Sequence, residues 1–212
     1  MPDFSLEHEL YKQGYTAVCG VDEAGRGPLA GPVVAAAVIL PLDSEQLPEV
    51  FDSKQLSAGQ RDELFDKLYA LPGIQISVAE ASVEEIDRLN ILRATHLAMR
   101  RAVDGLNQAD FVLVDGLPVQ FTLPSRNIIK GDAKCASIAA ASIIAKVTRD
   151  RFMEQAAEKF PQYAFDTHKG YGTAEHLERL KKHGPSELHR KSFRPVRELL
   201  PDTPVQGTLD LQ

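Results

Sequence analysis

Four carboxylates stand where apolar segments end or where a helical pattern begins. They are Asp22 and Glu23, which follow the apolar run 16–21, Asp115, which follows the run 111–114, and Asp132, which precedes a long helical pattern. Ligand sites in open α/β sheets commonly form at the carboxyl ends of strands. A group of carboxylates would be an all-oxygen site, which suits Mg²⁺ or Mn²⁺ better than zinc.

Each of these acids also fits a plain structural role when it is taken alone. Asp22 and Asp115 fit turns, and Asp132 fits a helix N-cap. The joint pattern favours a metal site, because such a site needs all of the acids whereas independent turns do not.

The glycine loop, residues 25–31, directly follows the first pair of acids. Adjacent acids on a continuing strand point to opposite faces, so Asp22 and Glu23 would reach one site only if the backbone turns, which the glycines permit. A dinucleotide-binding loop would need a helix here, but residues 33–40 have the apolar, β-branched composition of a strand. The loop is better suited to close approach of a substrate, with Arg26 as a charge for phosphate.

The apolar periodicity predicts an α/β fold with a mixed sheet flanked by helices. Strands are expected at 16–21, 33–40, 74–81, 111–114 and, as a short extended piece, 127–129. Helices are expected after capping boxes at Ser57 and Ser82, over 133–159, and over 173–183. The 212 residues suffice for a single domain over 1–212, with 173–200 as a small, basic helical extension.

The charge balance, with 24 Lys/Arg against 30 Asp/Glu, gives a net charge of −6 and argues against a polyanion as partner. Residues 179–197 depart from this balance, because they hold seven basic side chains and only Glu187 as an acid. Such a run is either a solvated helix face or a patch that contacts a polyanion, and the sequence leaves both open.

The sequence shows no apolar run long enough to span a membrane and no basic leader, so we expect a cytoplasmic protein with no membrane partner. A monomer is expected. Cys19 and Cys135 lie in apolar stretches without metal-ligand spacing, which predicts buried, inert thiols. The six histidines show no such spacing either, and His168 is expected at the surface.

Six motifs occur in one order along residues 16–195 and together resemble bacterial ribonuclease HII. They are DEAGRG at 22–27, DSK at 52–54 with Leu56, VDG at 114–116, KGD at 130–132, SIAAASIIAKVTRD at 137–150 and GYGT at 170–173. The resemblance implies an RNase H-like catalytic domain and an endonuclease that hydrolyses the RNA strand of RNA/DNA hybrids. It also implies nicking 5′ of single ribonucleotides in duplex DNA, which leaves 5′-phosphate and 3′-hydroxyl ends.

The resemblance further implies roles for individual residues. The acids that hold the metals, expected as two Mn²⁺ or Mg²⁺ ions, are matched by Asp22, Glu23, Asp115 and Asp132. The residues that recognise the RNA-to-DNA junction are matched by Gly25, Arg26, Gly27 and Tyr171. The intact set of acids favours an enzyme over a hybrid-binding protein without catalysis, and the strand after the glycine loop argues against an oxidoreductase.

The roles of two lysines and of the C-terminal tail stay open between alternatives. Lys54 and Lys146 are phosphate contacts or salt-bridge partners, and the sequence does not decide between these roles. The tail 206–211 faintly resembles peptides that bind bacterial sliding clamps, so a sliding clamp is a candidate partner, with a plain chain terminus as the alternative.

A fifth acid, Asp150, is excluded from the proposed metal site. It lies 18 residues beyond Asp132, about 27 Å along one continuous helix. We expect it to pair locally with Arg149 or Arg151.

Overall fold

The computed structural model describes residues 2–41 and 57–201, and a mixed β-sheet forms its centre. The strands are β1 (Val18–Ala24), β2 (Val33–Ile39), β3 (Gln75–Ala81), β4 (Phe111–Asp115) and β5 (Ser125–Ile128). They lie in the spatial order β3-β2-β1-β4-β5. β1 pairs with β2 antiparallel and with β4 parallel, so the mixed sheet expected from the sequence is confirmed.

Helices cover both faces of this sheet. In the part of the chain that the structure describes, they are α1 (Ser5–Lys12), α2 (Ala58–Ala70), α3 (Val83–Leu89), α4 (Ile91–Asp104), α5 (Ala136–Lys159), α6 (Phe165–His168), α7 (Ala174–His183) and α8 (Arg194–Arg197). Over those same residues, no helix has the combined length and apolar character that crossing a bilayer requires. Both predicted capping boxes are confirmed, with Ser57 and Ser82 as the N-caps of α2 and α3.

Several element boundaries differ from the sequence prediction, β5 among them, and two of the differences concern the acids. β1 does not end before its acids, because Asp22 and Glu23 continue the ladder opposite Ala36 and Ala35 of β2. The strand predicted at 16–21 therefore ends too early, and the backbone does not turn at these acids. The two carboxyl groups are nevertheless close enough for each to influence the pKa of the other. The long helix α5 begins at Ala136 rather than 133, since residues 131–133 form a separate 3-10 turn.

The core has two main layers, one on each side of the sheet. On one side, Ile86 of α3 and Met99 of α4 pack against the sheet. On the other side, Leu68 of α2 and Ile144 of α5 do so. α5 approaches β1 so closely that a Cβ placed on Gly20 would lie 2.2 Å from the backbone nitrogen of Ile138. Backbone-to-backbone packing thus fixes α5 across the strand that bears Asp22 and Glu23.

The C-terminal segment folds back over the glycine loop. Between α7 and α8 the backbone contains no helix, and His189 forms a bridge with Ala30. Leu180 of α7 and Val196 of α8 pack together with Leu29. The segment predicted as a helical extension is therefore two helices joined by a loop that contacts residues 29–31.

Candidate active site

The parallel pairing of β1 with β4 brings two of the predicted acids to one edge of the sheet. Val21 is paired with Val114, so Asp22 and Asp115 follow side by side at the carboxyl ends of these strands. Asp22 is buried, and Asp115 and Glu23 are partly buried. Asp22 Oδ1 accepts a 2.7 Å hydrogen bond from the amide of Glu23, and the Ser142 hydroxyl on α5 also bonds to Asp22.

The carboxyl groups at this edge of the sheet lie close together, and their environment raises the pKa of two of them. The pKa of Asp22 lies well above its ordinary range, first because the side chain is buried and then because the charges of Glu23 and Asp115 are near. Burial also raises the pKa of Glu23, while Arg26 acts against that rise through an ion pair of 3.2 Å. Such an environment favours a bound cation.

The fourth acid, Asp132, lies in the 3-10 turn of residues 131–133 and is buried. Its position depends on Asp115, whose Oδ1 accepts a 2.6 Å hydrogen bond from the amide of Gly131. Lys130, just before this turn, has left-handed backbone angles that redirect the chain from β5 into the turn. The structure thus places Asp132 beside the end of β4.

The donor chemistry of these acids fits a divalent cation, because every candidate ligand atom is a carboxylate oxygen. In their present positions, however, no three Asp, Glu, His or Cys side chains within residues 2–41 and 57–201 converge on a single ion. In this arrangement Glu23 is paired with Arg26, and Oδ1 of Asp115 accepts a hydrogen bond from the amide of Gly131.

The glycine loop and Tyr171 lie next to each other beside the acids. Gly25 has φ +96°, and a Cβ there would lie 2.0 Å from Nε of Arg149, so only glycine fits. A Cβ on Gly27 would lie 3.7 Å from Cε1 of Tyr171. Tyr171 is 44% exposed, which leaves its side chain available for stacking on a ligand.

A cleft of about 330 Å³ joins these parts. Its lining includes one acid, the glycine loop and Tyr171, and the full set is Glu23, Ala24, Gly25, Arg61, Ser142, Lys146, Arg149 and Tyr171. A smaller depression on the other side of Glu23 is bordered by Arg26 and Asp115. Sequence reasoning missed Arg61 and Ser142. Ser142 belongs to the motif at 137–150, which was a usable signal, whereas nothing around Arg61 singled it out.

A sequence profile of the ribonuclease HII family matches residues 19–196, which contain the acids, the glycine loop and Tyr171. The chain belongs to the ribonuclease HII family. A relative named ribonuclease HII, from Shouchella clausii, is 52% identical over 193 residues, which are 91% of this chain and 74% of the relative.

Two solved structures agree with this assignment to ribonuclease HII. The ribonuclease H2 of Pyrococcus horikoshii has a TM-score of 0.72 at 30% identity, covering 87% of this chain and 97% of that one. The structure described as a PCNA:RNase HII complex from Archaeoglobus fulgidus has a TM-score of 0.73 at 28% identity, covering 92% and 99%. The RNase H-like α/β fold is therefore confirmed, and as a ribonuclease HII family member the chain is an endoribonuclease that acts on the RNA strand of RNA/DNA hybrids.

Lys146 lies in the ribonuclease HII cleft and also forms an ion pair. Its Nζ lies 2.7 Å from Oδ1 of Asp150, one helical turn further along α5. The predicted pairing of Asp150 with Arg149 or Arg151 is therefore wrong, because residues four apart on a helix face each other and adjacent residues do not. Arg151 instead pairs with Asp62 at 3.1 Å.

Lys54 and the tail 206–211 lie outside the described residues.

A buried group of three histidines supports the Tyr171 segment. His168 and His176 stack with their ring centres 4.3 Å apart, and His189 Nε2 lies 3.1 Å from His176 Nε2. His176 Nδ1 also bonds to the carbonyl of Tyr171 at 2.9 Å. The expectation that His168 is a surface residue is wrong, because α6 turns it inward against this group.

The basic segment 179–197 does not form one continuous charged surface. Arg190, counted in the sequence as part of it, is fully buried beneath the glycine loop. Local charge counting could not detect this, because the partners of Arg190 lie more than 150 residues earlier in the chain.

Both cysteines are buried, as predicted.

Proposed function

We propose that this ribonuclease HII family member uses divalent cations to cut on the 5′ side of a ribonucleotide, both in RNA/DNA hybrids and at single ribonucleotides in duplex DNA. The products would carry 5′-phosphate and 3′-hydroxyl ends. The observation that carries this proposal is that Glu23 borders the same cleft as Gly25 and Tyr171. Glu23 also borders the depression that Asp115 lines, and Asp22 lies next to Asp115 on the neighbouring strand. Candidate cation ligands and a candidate sugar-recognition surface therefore adjoin.

The acids would act as ligands rather than as nucleophiles. Asp22, Glu23, Asp115 and Asp132 would hold Mg²⁺ or Mn²⁺, and two such ions supply the charge needed to activate water and to stabilise a leaving oxygen. The ion pair with Arg26 keeps one oxygen of Glu23 occupied, so binding of cations would compete with this pair. Asp115 can keep its bond to the Gly131 amide through Oδ1 and still offer Oδ2.

Selection of a ribonucleotide would rest on the glycine loop and Tyr171. The 2′-hydroxyl is the group that distinguishes RNA from DNA at a given position, and backbone amides near Gly27 can bond to it. The exposed Tyr171 ring, close to Gly27, would stack on the next deoxyribose, where a second 2′-hydroxyl would clash. Arg26 and Lys146 border the two clefts and would contact phosphates.

The deciding experiment uses a DNA duplex with one ribonucleotide, incubated with Mg²⁺ or Mn²⁺ and then with chelator. A single nick 5′ of the ribonucleotide, lost on chelation and in Asp22→Asn, is expected. Asp104→Asn is the matched control, because Asp104 is an exposed acid at the end of α4, away from the cleft. The rival function, hybrid binding without catalysis, would leave the duplex bound but uncut with either metal.

A sliding clamp remains a proposed partner through the tail 206–211. The Archaeoglobus fulgidus ribonuclease HII described in complex with PCNA supports the idea, because it shows that a structural relative assembles with a clamp. The test is binding of the full chain to a bacterial clamp compared with a chain that ends at residue 205. Equal binding by both would remove the tail from the proposal.

A further inference from the structure

Arg190 uses every donor of its guanidinium on backbone carbonyls of one segment. An arginine has five N–H groups. Here the acceptors are the carbonyl oxygens of Gly25 at 2.5 Å, Arg26 at 3.0 Å, Pro28 at 2.7 Å, Gly31 at 2.9 Å and Pro32 at 3.1 Å. The side chain is fully buried and forms no ion pair within the described residues. The carbonyl groups of the glycine loop thus surround the buried guanidinium of Arg190.

This wrapping fixes the direction of the amides at the tip of the loop. In a planar trans peptide the C=O and the following N–H point in opposite directions. Because the carbonyls of Gly25 and Arg26 point inward to Arg190, the N–H groups of Arg26 and Gly27 must point outward. Arg26 and Gly27 are the exposed residues of this segment, and neither amide donates to an acceptor within residues 2–41 and 57–201.

A second buried guanidinium joins this loop to the segment that bears Tyr171. Arg149 donates to the carbonyls of Pro32 at 3.1 Å and Ala30 at 3.0 Å, and to that of Lys169 at 3.1 Å. The amide of Leu29 adds a 2.8 Å bond to the carbonyl of Gly170. The glycine loop and the Tyr171 segment are therefore held as one rigid unit from beneath.

We propose that Arg190 and Arg149 are positioning residues for ribonucleotide selection, which hold the amides of Arg26 and Gly27 towards the substrate and Tyr171 beside them. The proposal rests on the function proposed above. Both arginines would act through the loop and the Tyr171 segment rather than by binding the substrate themselves. Their contribution is that the loop is already in its binding conformation, so little conformational freedom is lost when a sugar hydroxyl reaches the amides. Low solvent exposure strengthens these charge-assisted bonds.

The test measures affinity for two duplexes of one sequence, one of DNA only and one with a single ribonucleotide, in EDTA so that neither is cut. The ratio of the two Kd values is the ribonucleotide preference, which fluorescence anisotropy gives directly. The parent protein is expected to prefer the ribonucleotide duplex. Arg190→Lys keeps the charge but has only three donors on one nitrogen. It is expected to lower the preference roughly tenfold, the effect of losing about one hydrogen bond, with the DNA-only Kd unchanged.

The matched control is Arg101→Lys. Arg101 also bonds through two nitrogens, to Glu85 and to the carbonyl of Glu80, but it lies on α4 away from the loop. The ribonucleotide preference of Arg101→Lys should equal that of the parent protein. If Arg190→Lys does not fold, Arg149→Lys provides the same measurement, because it loosens the same unit from the other side.

The outcomes separate a positioning role from a merely structural one. A structural arginine would lower the folded fraction, which weakens apparent binding to both duplexes and leaves the ratio unchanged. An unchanged ratio in the folded variants, or a parent protein without preference, overturns the proposal. Failure of the proposed function is distinct, because a parent that prefers the ribonucleotide duplex but does not cut it with Mg²⁺ or Mn²⁺ would refute only the catalysis.

Discussion

The backbone amide of Gly131 donates a 2.6 Å hydrogen bond to Oδ1 of Asp115. The bond joins the end of β4 to the 3-10 turn that contains Asp132, across 16 residues of chain. It places two of the proposed cation ligands relative to each other and occupies one oxygen of Asp115. The relative position of these acids therefore depends on the backbone of the 3-10 turn as well as on side-chain rotation.

Replacing Gly131 by alanine should disturb this relationship. The new Cβ would lie 2.6 Å from Cδ1 of Ile138 and 3.2 Å from Oδ1 of Asp115, so the turn must move. We expect kcat to fall roughly 100-fold, as small misplacements of catalytic groups do, with a stability loss of about 1–3 kcal/mol. Steady-state kinetics and thermal melts measure the two effects. Gly59→Ala is the control, because nothing lies within 4 Å of a Cβ there, and full activity of Gly131→Ala would contradict the prediction.

Truncation of the Tyr171 side chain should lower the cutting of duplexes that contain a single ribonucleotide most. The side chain is exposed, so Tyr171→Ala should fold normally while losing its contact with the deoxyribose. Stacking of an aromatic ring on a base, worth about 1–3 kcal/mol, sets the scale of the expected loss. We expect kcat/KM on the one-ribonucleotide duplex to fall at least roughly tenfold, and Tyr171→Phe to retain most activity. Tyr69→Ala changes a half-exposed tyrosine on α2 and should have no effect on this activity. Equal activity of Tyr171→Ala and the parent would remove the ring from recognition.

The role of Lys146 can be decided by salt dependence. A lysine that contacts phosphate raises affinity and adds about one unit to the slope of log affinity against log salt. We expect Lys146→Met to weaken duplex binding and to lower that slope by about one. Asp150→Asn removes the ion pair at 2.7 Å but leaves the lysine, so binding should not weaken. If both variants bind as the parent does, Lys146 is a salt-bridge partner alone.

The histidine group should make stability depend on pH. Burial, together with His176, lowers the pKa of His189 to about 3, below the unfolded value near 6.5. The folded state therefore binds fewer protons below pH 6.5, and the free energy of unfolding should decrease as the pH falls from about 6.5 towards 3. From pH 6.5 to 5 this amounts to at most about 2 kcal/mol for this residue.

Urea denaturation at pH 7.5 and 5 measures this effect. His189→Gln cannot take up the proton, so its stability should fall less between these pH values than that of the parent. The comparison between variants is needed because Asp22, whose pKa is raised, acts in the opposite direction. Identical losses in parent and variant would show that His189 is not the source.

Local patterns determined much of this protein. The capping boxes at Ser57 and Ser82 depend on residues three apart, and strand composition depends on a few neighbours, so the sequence predicted both helix starts and the mixed sheet. The motifs also predicted the acids that meet at the ends of β1 and β4. The predicted end of the first strand at residue 21 was wrong, because pairing with β2 extends β1 through Asp22 and Glu23. No local pattern contains that contact.

Only the tertiary structure decided what the buried charges and histidines do. In the sequence Arg190 belongs to a basic run, yet it bonds to the carbonyl of Gly25, 165 residues earlier. His168 was expected at the surface and is packed against His176 instead. The local sequence indicates which reactive groups are present and roughly where helices and strands begin. The surroundings of a polar side chain depend on which distant segments pack against it, and here that packing turns an apparent surface charge into the support of the glycine loop.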